Sequence, residues 1–277
     1  MSTGVEVPRA AAAAPGRGQD KQREWHDQWS MLKDEERFLF EDWIAPNRLT
    51  DFAGKDVLEG GCGGGQHTAF VAEHARSITA VDLNTVDIAR ERTRRFDNVR
   101  FVEGDLATVD LGRQFDVVFS IGVLHHTDDP DRSVANLVRH VKPGGRFIVW
   151  VYSDEGNFLV KNVVEPLRKR FLARMDRARL LGLSRAVTAA LYPPVYSVYR
   201  LPAKFLPYYE YFDNFRKLSF ERNTLNVFDK LNAPQVQFIT RARVESWFPA
   251  ERFQDVHVSP YKGVSWRASG TVRGHTA

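Results

Sequence analysis

The chain has 277 residues, a formal net charge of +4 and a single cysteine, Cys62. This length fits one large domain or one domain with an insertion, and the lone cysteine excludes an internal disulfide. That cysteine usage fits a reducing compartment, so we expect a cytoplasmic protein, and no segment approaches the roughly 18 uninterrupted apolar residues of a membrane-spanning helix.

The N-terminal fifty residues divide into a tail and a helical segment. Residues 1–20, rich in Ala, Gly and Pro, lack the apolar core of a signal peptide and are predicted to be disordered. Residues 21–50 are predicted to be helical, because large apolar side chains recur there at helical spacing. These side chains are Trp25, Trp29, Leu32, Phe38, Leu39, Trp43 and Ile44. The segment could pack against a sheet edge or close over a ligand, and the sequence leaves both readings open.

A strand, a glycine-rich turn and a helix start follow one another within residues 55–68. Glu59 closes the strand, and Gly61, Gly63 and Gly65 then turn the chain into a helix. Alternate glycines allow positive φ angles and let a ligand approach the backbone closely. Such a unit forms a nucleotide site at the carboxyl edge of an α/β sheet. A tight turn that binds no ligand is the alternative interpretation.

The spacing of this turn indicates which nucleotide it binds. A dinucleotide fingerprint would place its last glycine at position 66, where the sequence has Gln66. The acidic Glu59 is also unsuited to a pyrophosphate and suits a ligand with a positive end, such as S-adenosylmethionine. The pattern Glu59-x-Gly61-x-Gly63-x-Gly65 resembles motif I of the class I S-adenosylmethionine-dependent methyltransferases.

The next two predicted strands end at acidic residues. Strand two (77–81) leads to Asp82, which lies 21 residues after Gly61, the offset of a carboxylate that binds ribose hydroxyls. Asp82 could also cap a helix over 85–95. Strand three (98–102) leads to Asp105. The resemblance implies that Asp105 accepts a hydrogen bond from the adenine amine, and that Leu83 and Leu106 pack on the ring.

Strand four (115–120) ends at Ser120, which we include among the cofactor residues. Asp129 is predicted to cap a helix that begins at Pro130 and stops at residues 142–145, before strand five (146–152). The run Val-Leu-His-His-Thr-Asp-Asp-Pro, followed by Lys-Pro-Gly-Gly before a strand, resembles the small-molecule class I methyltransferases. That resemblance covers residues 55–152 and is specific for fold and cofactor, but not for substrate.

The remaining elements of this fold are predicted late in the chain, as a helix (240–248), strand six (253–258) and strand seven (264–268). The last strand must run antiparallel after so short a connection. We therefore predict an α/β protein with a Rossmann-like seven-stranded sheet, an antiparallel last strand and helices on both faces. Residues 21–152 and 240–270 would form the methyltransferase domain, and residues 153–239 a helical insertion that caps the substrate.

The predicted insertion is strongly basic in its first half. Ten Lys or Arg stand against two acidic residues between Lys161 and Lys204, which gives this stretch +8. Apolar residues alternate with the basic ones, as on an amphipathic helix that faces an anionic substrate, an anionic membrane, nucleic acid or only solvent. Prolines at 193, 194, 202 and 207 are predicted to break any long helix.

Aromatic residues dominate the second half of the insertion. We take Tyr208 and Tyr209 from this segment, together with Tyr152 and Tyr261 outside it, as candidate substrate contacts. The segments 206–211, 226–234 and 262–267 look like those of a bacterial methyltransferase subgroup, which we associate with polysaccharide and secondary-metabolite pathways. The resemblance therefore implies transfer of a methyl group from S-adenosylmethionine to a small-molecule or lipid- or sugar-linked acceptor. The acceptor could be anionic and membrane-held. No metal is expected, and the oligomeric state is not assigned.

His125 and His126 leave the end of strand four, where the methyl group would lie. One of them could be a general base, since histidine titrates near neutral pH; both could instead shape the loop and cap the next helix. Nucleic acid is a less favoured partner, because the place of the Asn/Asp-Pro-Pro-aromatic motif of base-amino methyltransferases holds Ser120-Ile121-Gly122-Val123. A modified-uridine tRNA methyltransferase escapes this objection and is the second reading. A third is a cofactor-binding module without activity.

Overall fold

A computed structural model describes residue 26 and residues 36–172, 175–233 and 235–274. The predicted tail, and Trp25, Trp29 and Leu32 of the predicted helical segment, lie outside these ranges. Among the described residues, no helix is long and apolar enough to cross a bilayer.

Seven strands form one sheet in the order β3-β2-β1-β4-β5-β7-β6. They are β1 (Asp56–Gly60), β2 (Ser77–Asp82), β3 (Val99–Glu103), β4 (Phe115–Ile121), β5 (Val141–Tyr152), β6 (Phe253–Tyr261) and β7 (Ser265–Val272). Of these seven, β7 runs antiparallel to its neighbours, and the other neighbouring strands are parallel. The predicted Rossmann-like sheet is confirmed. Its strand order reverses between β1 and β4, which is where α/β sheets of this kind open a crevice.

Helices cover both faces of the sheet. Successive strand residues point to opposite faces, so Val57 packs in one apolar cluster and its neighbour Leu58 in another. Helices α1 (Arg37–Ile44) and α2 (Gln66–Ala72) contribute to the Val57 cluster, and α4 (Pro130–Arg139) and α9 (Arg241–Ser246) to the Leu58 cluster. The other helices are α3 (Val86–Arg92), α5 (Glu165–Arg170), α6 (Arg177–Ser197), α7 (Tyr209–Phe215) and α8 (Phe220–Asn232).

The local capping signal placed the start of α4 correctly. Asp129 caps α4, its side chain accepting a hydrogen bond from the Arg132 N–H at 3.0 Å. Strand β5, however, begins at Val141, where residues 142–145 were expected to separate helix from strand. Val141 pairs with Phe115 across a bulge, and this pairing extends the strand backwards through the glycines.

Residues 153–239 leave the sheet at the carboxyl end of β5 and return to the same place. Ser153 bridges Ile239, and the Ile239 N–H donates to the Tyr152 carbonyl at 3.0 Å. Between these points the described residues form a π-helical turn (Val160–Val164), α5, α6, a 3₁₀ turn (Val198–Arg200), α7 and α8. This excursion is called the insertion below.

Two expectations about the insertion are wrong. Helix α6 runs through Pro193 and Pro194, which were expected to break it. These prolines lie in its last two turns, and the buried side chain of Val195 holds that end against the protein. The basic run also does not form one amphipathic helix, because α5 ends at Arg170 and α6 begins only at Arg177.

Candidate active site

A cavity of about 950 Å³ lies at the carboxyl ends of the parallel strands. Its walls come from the loops after β1, β2, β3, β4 and β5, from α1, and from the insertion. Of the predicted site residues, Gly61, Gly63, Asp82, Leu83, Asp105, Leu106, His126, Tyr152, Tyr208 and Tyr261 line it. Glu59, Gly65, Ser120, His125 and Tyr209 are not part of this lining.

The glycine loop is held by its own hydrogen bonds. The N–H groups of Gly61 and Cys62 donate to the Val81 carbonyl, and the Gly63 N–H donates to Asp82 Oδ2 at 2.9 Å. A phosphate-binding loop would direct such groups at its ligand. Because these N–H groups are already used, the loop is not suited to cradle a phosphate.

Two of the glycines are required by close packing. Gly61 has φ 82°, and a Cβ there would lie 2.4 Å from Val123 Cγ1. Gly65 has φ 79°, and a Cβ would lie 2.8 Å from Ala89 Cα in α3. Cys62 between them is buried with Ala80 and Ala89, and burial raises the pKa of its thiol, as expected of a packing residue.

Glu59 lies beneath the loop, outside the cavity lining. Its Oε2 accepts a hydrogen bond from Thr68 Oγ1 at 2.5 Å, while Oε1 has no hydrogen-bond partner among the described residues. Burial raises the pKa of Glu59 to about 8 and lowers that of the nearby His67 to about 3. Both side chains are therefore neutral at pH 7, and their 3.9 Å approach is not an ion pair.

The carboxylates of Asp82 and Asp105 face the cavity from neighbouring strand ends. Asp82 accepts from Gly63 and, at 3.3 Å, from the Asn84 N–H, and Asp105 accepts from the Ala107 N–H at 2.8 Å. Each carboxylate oxygen can accept further hydrogen bonds, so both residues keep acceptor capacity for a ligand. Asp82 does not cap α3, whose N-cap residue is Thr85.

Ser120 links two strand ends. Its hydroxyl is fully buried and donates to the Gly60 carbonyl at 2.8 Å. The bond ties the end of β4 to the start of the glycine loop, so Ser120 positions that loop from outside the cavity.

The two histidines occupy different environments. His125 is fully buried, its Nδ1 accepts from the Tyr152 N–H at 3.4 Å, and its Nε2 has no hydrogen-bond partner among the described residues. His126 lines the cavity, and its Nδ1 lies 2.7 Å from the Gln235 carbonyl oxygen. That oxygen can only accept, so Nδ1 carries the proton and Nε2 the lone pair. Burial lowers the pKa of both histidines, and neither caps α4.

Three of the four predicted tyrosines line the cavity. Tyr152 donates from its hydroxyl to Asp229 Oδ2 at 3.0 Å, and burial together with Asp229 holds its pKa well above 10. Tyr261 donates to Asp42 in α1, and the Tyr208 oxygen accepts from the Leu159 N–H. Tyr152 thus stays protonated and fixes Asp229 at the cavity wall.

Helix α1 covers part of the cavity and also packs on the sheet. Phe40 and Ile44 are fully buried in the core, whereas Leu39 and Trp43 line the cavity. Trp43 lies against Trp150 with ring centroids 4.8 Å apart. One side of α1 therefore packs against the sheet, and the other side faces the cavity.

The insertion contributes charged residues to which the sequence analysis gave no individual role. These cavity-lining residues are Glu165, Arg168, Arg222, Asp229 and Lys230. Asp229 and Lys230 stand in segment 226–234, which carried the subgroup resemblance, and Arg168 belongs to the basic run. Neither the resemblance nor the basic composition indicated which of these side chains face the cavity.

The cavity is electrically polarised. The lining residues outside the insertion include five carboxylates, against Arg132 and Lys262. Those of the insertion include three basic side chains against two acidic ones. One wall therefore favours a cationic ligand and the other an anionic group.

The profile of a family described as "Methyltransferase domain" matches residues 58–149. The demethylmenaquinone methyltransferase of Tropheryma whipplei (strain Twist) is 32% identical over 111 residues, which are 39% of this chain and 46% of that protein. The ubiquinone biosynthesis O-methyltransferase of Pseudomonas fluorescens (strain Pf0-1) is 30% identical over 110 residues, 38% of this chain and 47% of that protein. The chain thus spans less than half the length of these curated relatives.

A solved structure described as a DhpI–SAH complex shares the fold of almost the whole chain. It aligns with a TM-score of 0.54 at 17% identity, over 92% of this chain and 94% of that one. At this identity the likeness concerns the fold alone.

Proposed function

We propose, from the match of residues 58–149 to a family described as "Methyltransferase domain", that the chain binds S-adenosylmethionine and methylates a small-molecule acceptor. One observation carries this proposal. A glycine loop with internally bonded N–H groups and two cavity-facing carboxylates, Asp82 and Asp105, share one polarised cavity. This arrangement suits a ligand with ribose hydroxyls and positive groups better than one with phosphates.

The proposed reaction is in-line attack of an acceptor atom on the sulfonium methyl group, and positioning supplies much of the acceleration. An oxygen nucleophile needs a base, and His126 fits that role. It lines the cavity, is neutral at pH 7 and holds its proton on Nδ1, so Nε2 carries the lone pair that a base uses. His125, behind it, supports the loop.

The acceptor would lie between His126 and the insertion. The names of the two matched relatives refer to quinone methylation, which supports a small molecule as acceptor. A lipid- or sugar-linked acceptor of a secondary-metabolite or polysaccharide pathway is the finer proposal. Exposed Phe158, Leu167, Phe171 and Phe205, near exposed basic residues of the insertion, support peripheral contact with an anionic membrane that holds it.

Calorimetry with S-adenosylhomocysteine tests the cofactor site. Asp82→Asn keeps an oxygen for the Gly63 N–H but removes the charge and one acceptor. We expect a loss of about 1.5–3 kcal/mol, or roughly tenfold or more in Kd. Asp110→Asn is the matched control, since Asp110 also accepts from a backbone N–H two residues on, at 2.9 Å, but lies outside the cavity lining. Equal affinity in the two variants would refute the assignment.

A further inference from the structure

Arg168 is one of the three basic side chains that the insertion contributes to the cavity lining, and it donates no side-chain hydrogen bond to the described part of the chain. Arg168 is 6% exposed and lines the cavity, whereas its neighbours Lys169 and Arg170 are exposed. Arg168 Nη2 forms an ion pair with Glu165 Oε1 at 3.5 Å, but the same oxygen lies 2.8 Å from Lys169 Nζ, and the Arg168 side chain donates no hydrogen bond to the described residues. A buried guanidinium presents five donors, and an ion pair without a hydrogen bond leaves those donors available to a ligand in the cavity.

Other charges gather near Arg168. Lys230 lines the same wall, with Nζ 5.1 Å from the ring centroid of Tyr211 and 5.9 Å from that of Tyr152. Tyr152 holds the carboxylate of Asp229, which interacts electrostatically with Arg168, Lys230 and His126. With Arg222, the described lining residues of the insertion are three cations and two carboxylates, a net charge of +1.

We propose that Arg168 and Lys230 form a subsite for an anionic group, a carboxylate or a phosphate, on the methyl acceptor. The planar guanidinium matches the two oxygens of either group. Around it the insertion supplies an apolar wall, formed by Val164, Leu191, Leu218, Leu225 and Leu231. The acceptor is therefore an amphipathic molecule, whose anionic group binds Arg168 while its nucleophilic atom lies near His126. Only the position of the nucleophile rests on the proposed methyl transfer.

Binding of three probes to the full chain tests this subsite. Octanoate and octyl phosphate carry the two candidate anions, and octan-1-ol is their neutral counterpart. We expect at least one anion to bind at least tenfold more tightly than octan-1-ol, by calorimetry with and without saturating S-adenosylhomocysteine. The tighter of the two anions identifies the headgroup.

Arg168→Gln should remove at least tenfold of the anion affinity and leave octan-1-ol binding unchanged. Arg170→Gln is the matched control, because Arg170 lies two residues away in α5 and is exposed; it should change neither by more than twofold. Arg168→Lys keeps the positive charge but lacks the planar guanidinium, so its anion affinity should lie between those of the parent and Arg168→Gln. Absence of an anion preference in the unaltered chain overturns the subsite, even if Arg168→Gln fails to fold. Equal effects of the Arg168 and Arg170 variants overturn it too.

The two proposals fail separately. If S-adenosylhomocysteine does not bind, the cofactor assignment is wrong, while an anion preference measured without it still supports the subsite. If S-adenosylhomocysteine binds and no anion is preferred, the subsite alone is wrong.

Discussion

Replacing Glu59 by glutamine should change how the stability of the protein depends on pH. Glu59 is 1% exposed, and burial raises its pKa from 4.5 to about 8. Between these two values the folded protein holds a proton on Glu59 that the unfolded chain has released. The free energy of unfolding therefore falls as pH rises from about 4.5 to about 8, and the stabilising contribution is fully present only below that window.

The expected size follows from this one proton. The slope is about 1.4 kcal/mol per pH unit, so the contribution of Glu59 changes by about 2 kcal/mol between pH 6 and pH 7.5. The introduced glutamine would be close in shape and could still accept from Thr68 Oγ1, which now donates to Oε2 of Glu59. Between pH 6 and pH 7.5, the free energy of unfolding of Glu59→Gln should therefore rise by about 2 kcal/mol relative to that of the parent.

Urea unfolding of both proteins at pH 6 and pH 7.5 measures this double difference. Glu91→Gln is the control, because the Glu91 side chain is 74% exposed and its variant should follow the parent. Parallel stability curves for parent and Glu59→Gln would show that Glu59 is ionised in the folded protein. The description of a neutral carboxyl beneath the glycine loop would then be wrong.

Two further predictions concern the base and the glycine loop. With an oxygen acceptor as substrate, kcat should stay constant through neutral pH and fall only below about pH 6.5, because burial lowers the pKa of His126 and the proton-accepting form persists. The variant His126→Gln should lower kcat about 100-fold or more. A normal rate in that variant would exclude His126 as the base. Gly61→Ala should cost about 2–4 kcal/mol of stability, since its Cβ would clash with Val123. Gly112→Ala shares a positive φ of 61° but has open space, so it should cost only about 1–2 kcal/mol, and equal losses in urea unfolding would contradict the packing argument.

The sheet was predictable because its signals are local. Buried parallel strands read as short apolar runs, and each of the first three is followed closely by a residue that must serve a ligand or a turn. The match of a methyltransferase family to residues 58–149 confirms the resemblance drawn from those motifs. Glu59 remains a predicted ligand contact, and the sequence did not indicate that burial beneath the loop would raise its pKa.

The insertion was less predictable because its structure depends on distant contacts. A basic run has the same composition whether its side chains face water or a cavity, and only the fold places Arg168 inside and Arg170 outside. Likewise Pro193 and Pro194 carry a local signal for a helix end, which the packing of α6 overrides. Tertiary position, and not residue type, decides which of these side chains face the cavity.

The insertion and the histidine loop are physically joined, and this decides how the site should be dissected. Gln235 binds His126 through its carbonyl, and its side-chain amide donates to the Thr127 carbonyl at 3.0 Å. The Gln237 N–H donates to the His125 carbonyl at 2.7 Å. Deleting residues 153–239 would therefore remove the acceptor wall and release His126 together, so a loss of activity could not be assigned to either. Point variants at Arg168 and His126 leave the hydrogen bonds from Gln235 to Thr127 and from Gln237 to His125 in place, and separate acceptor binding from proton transfer.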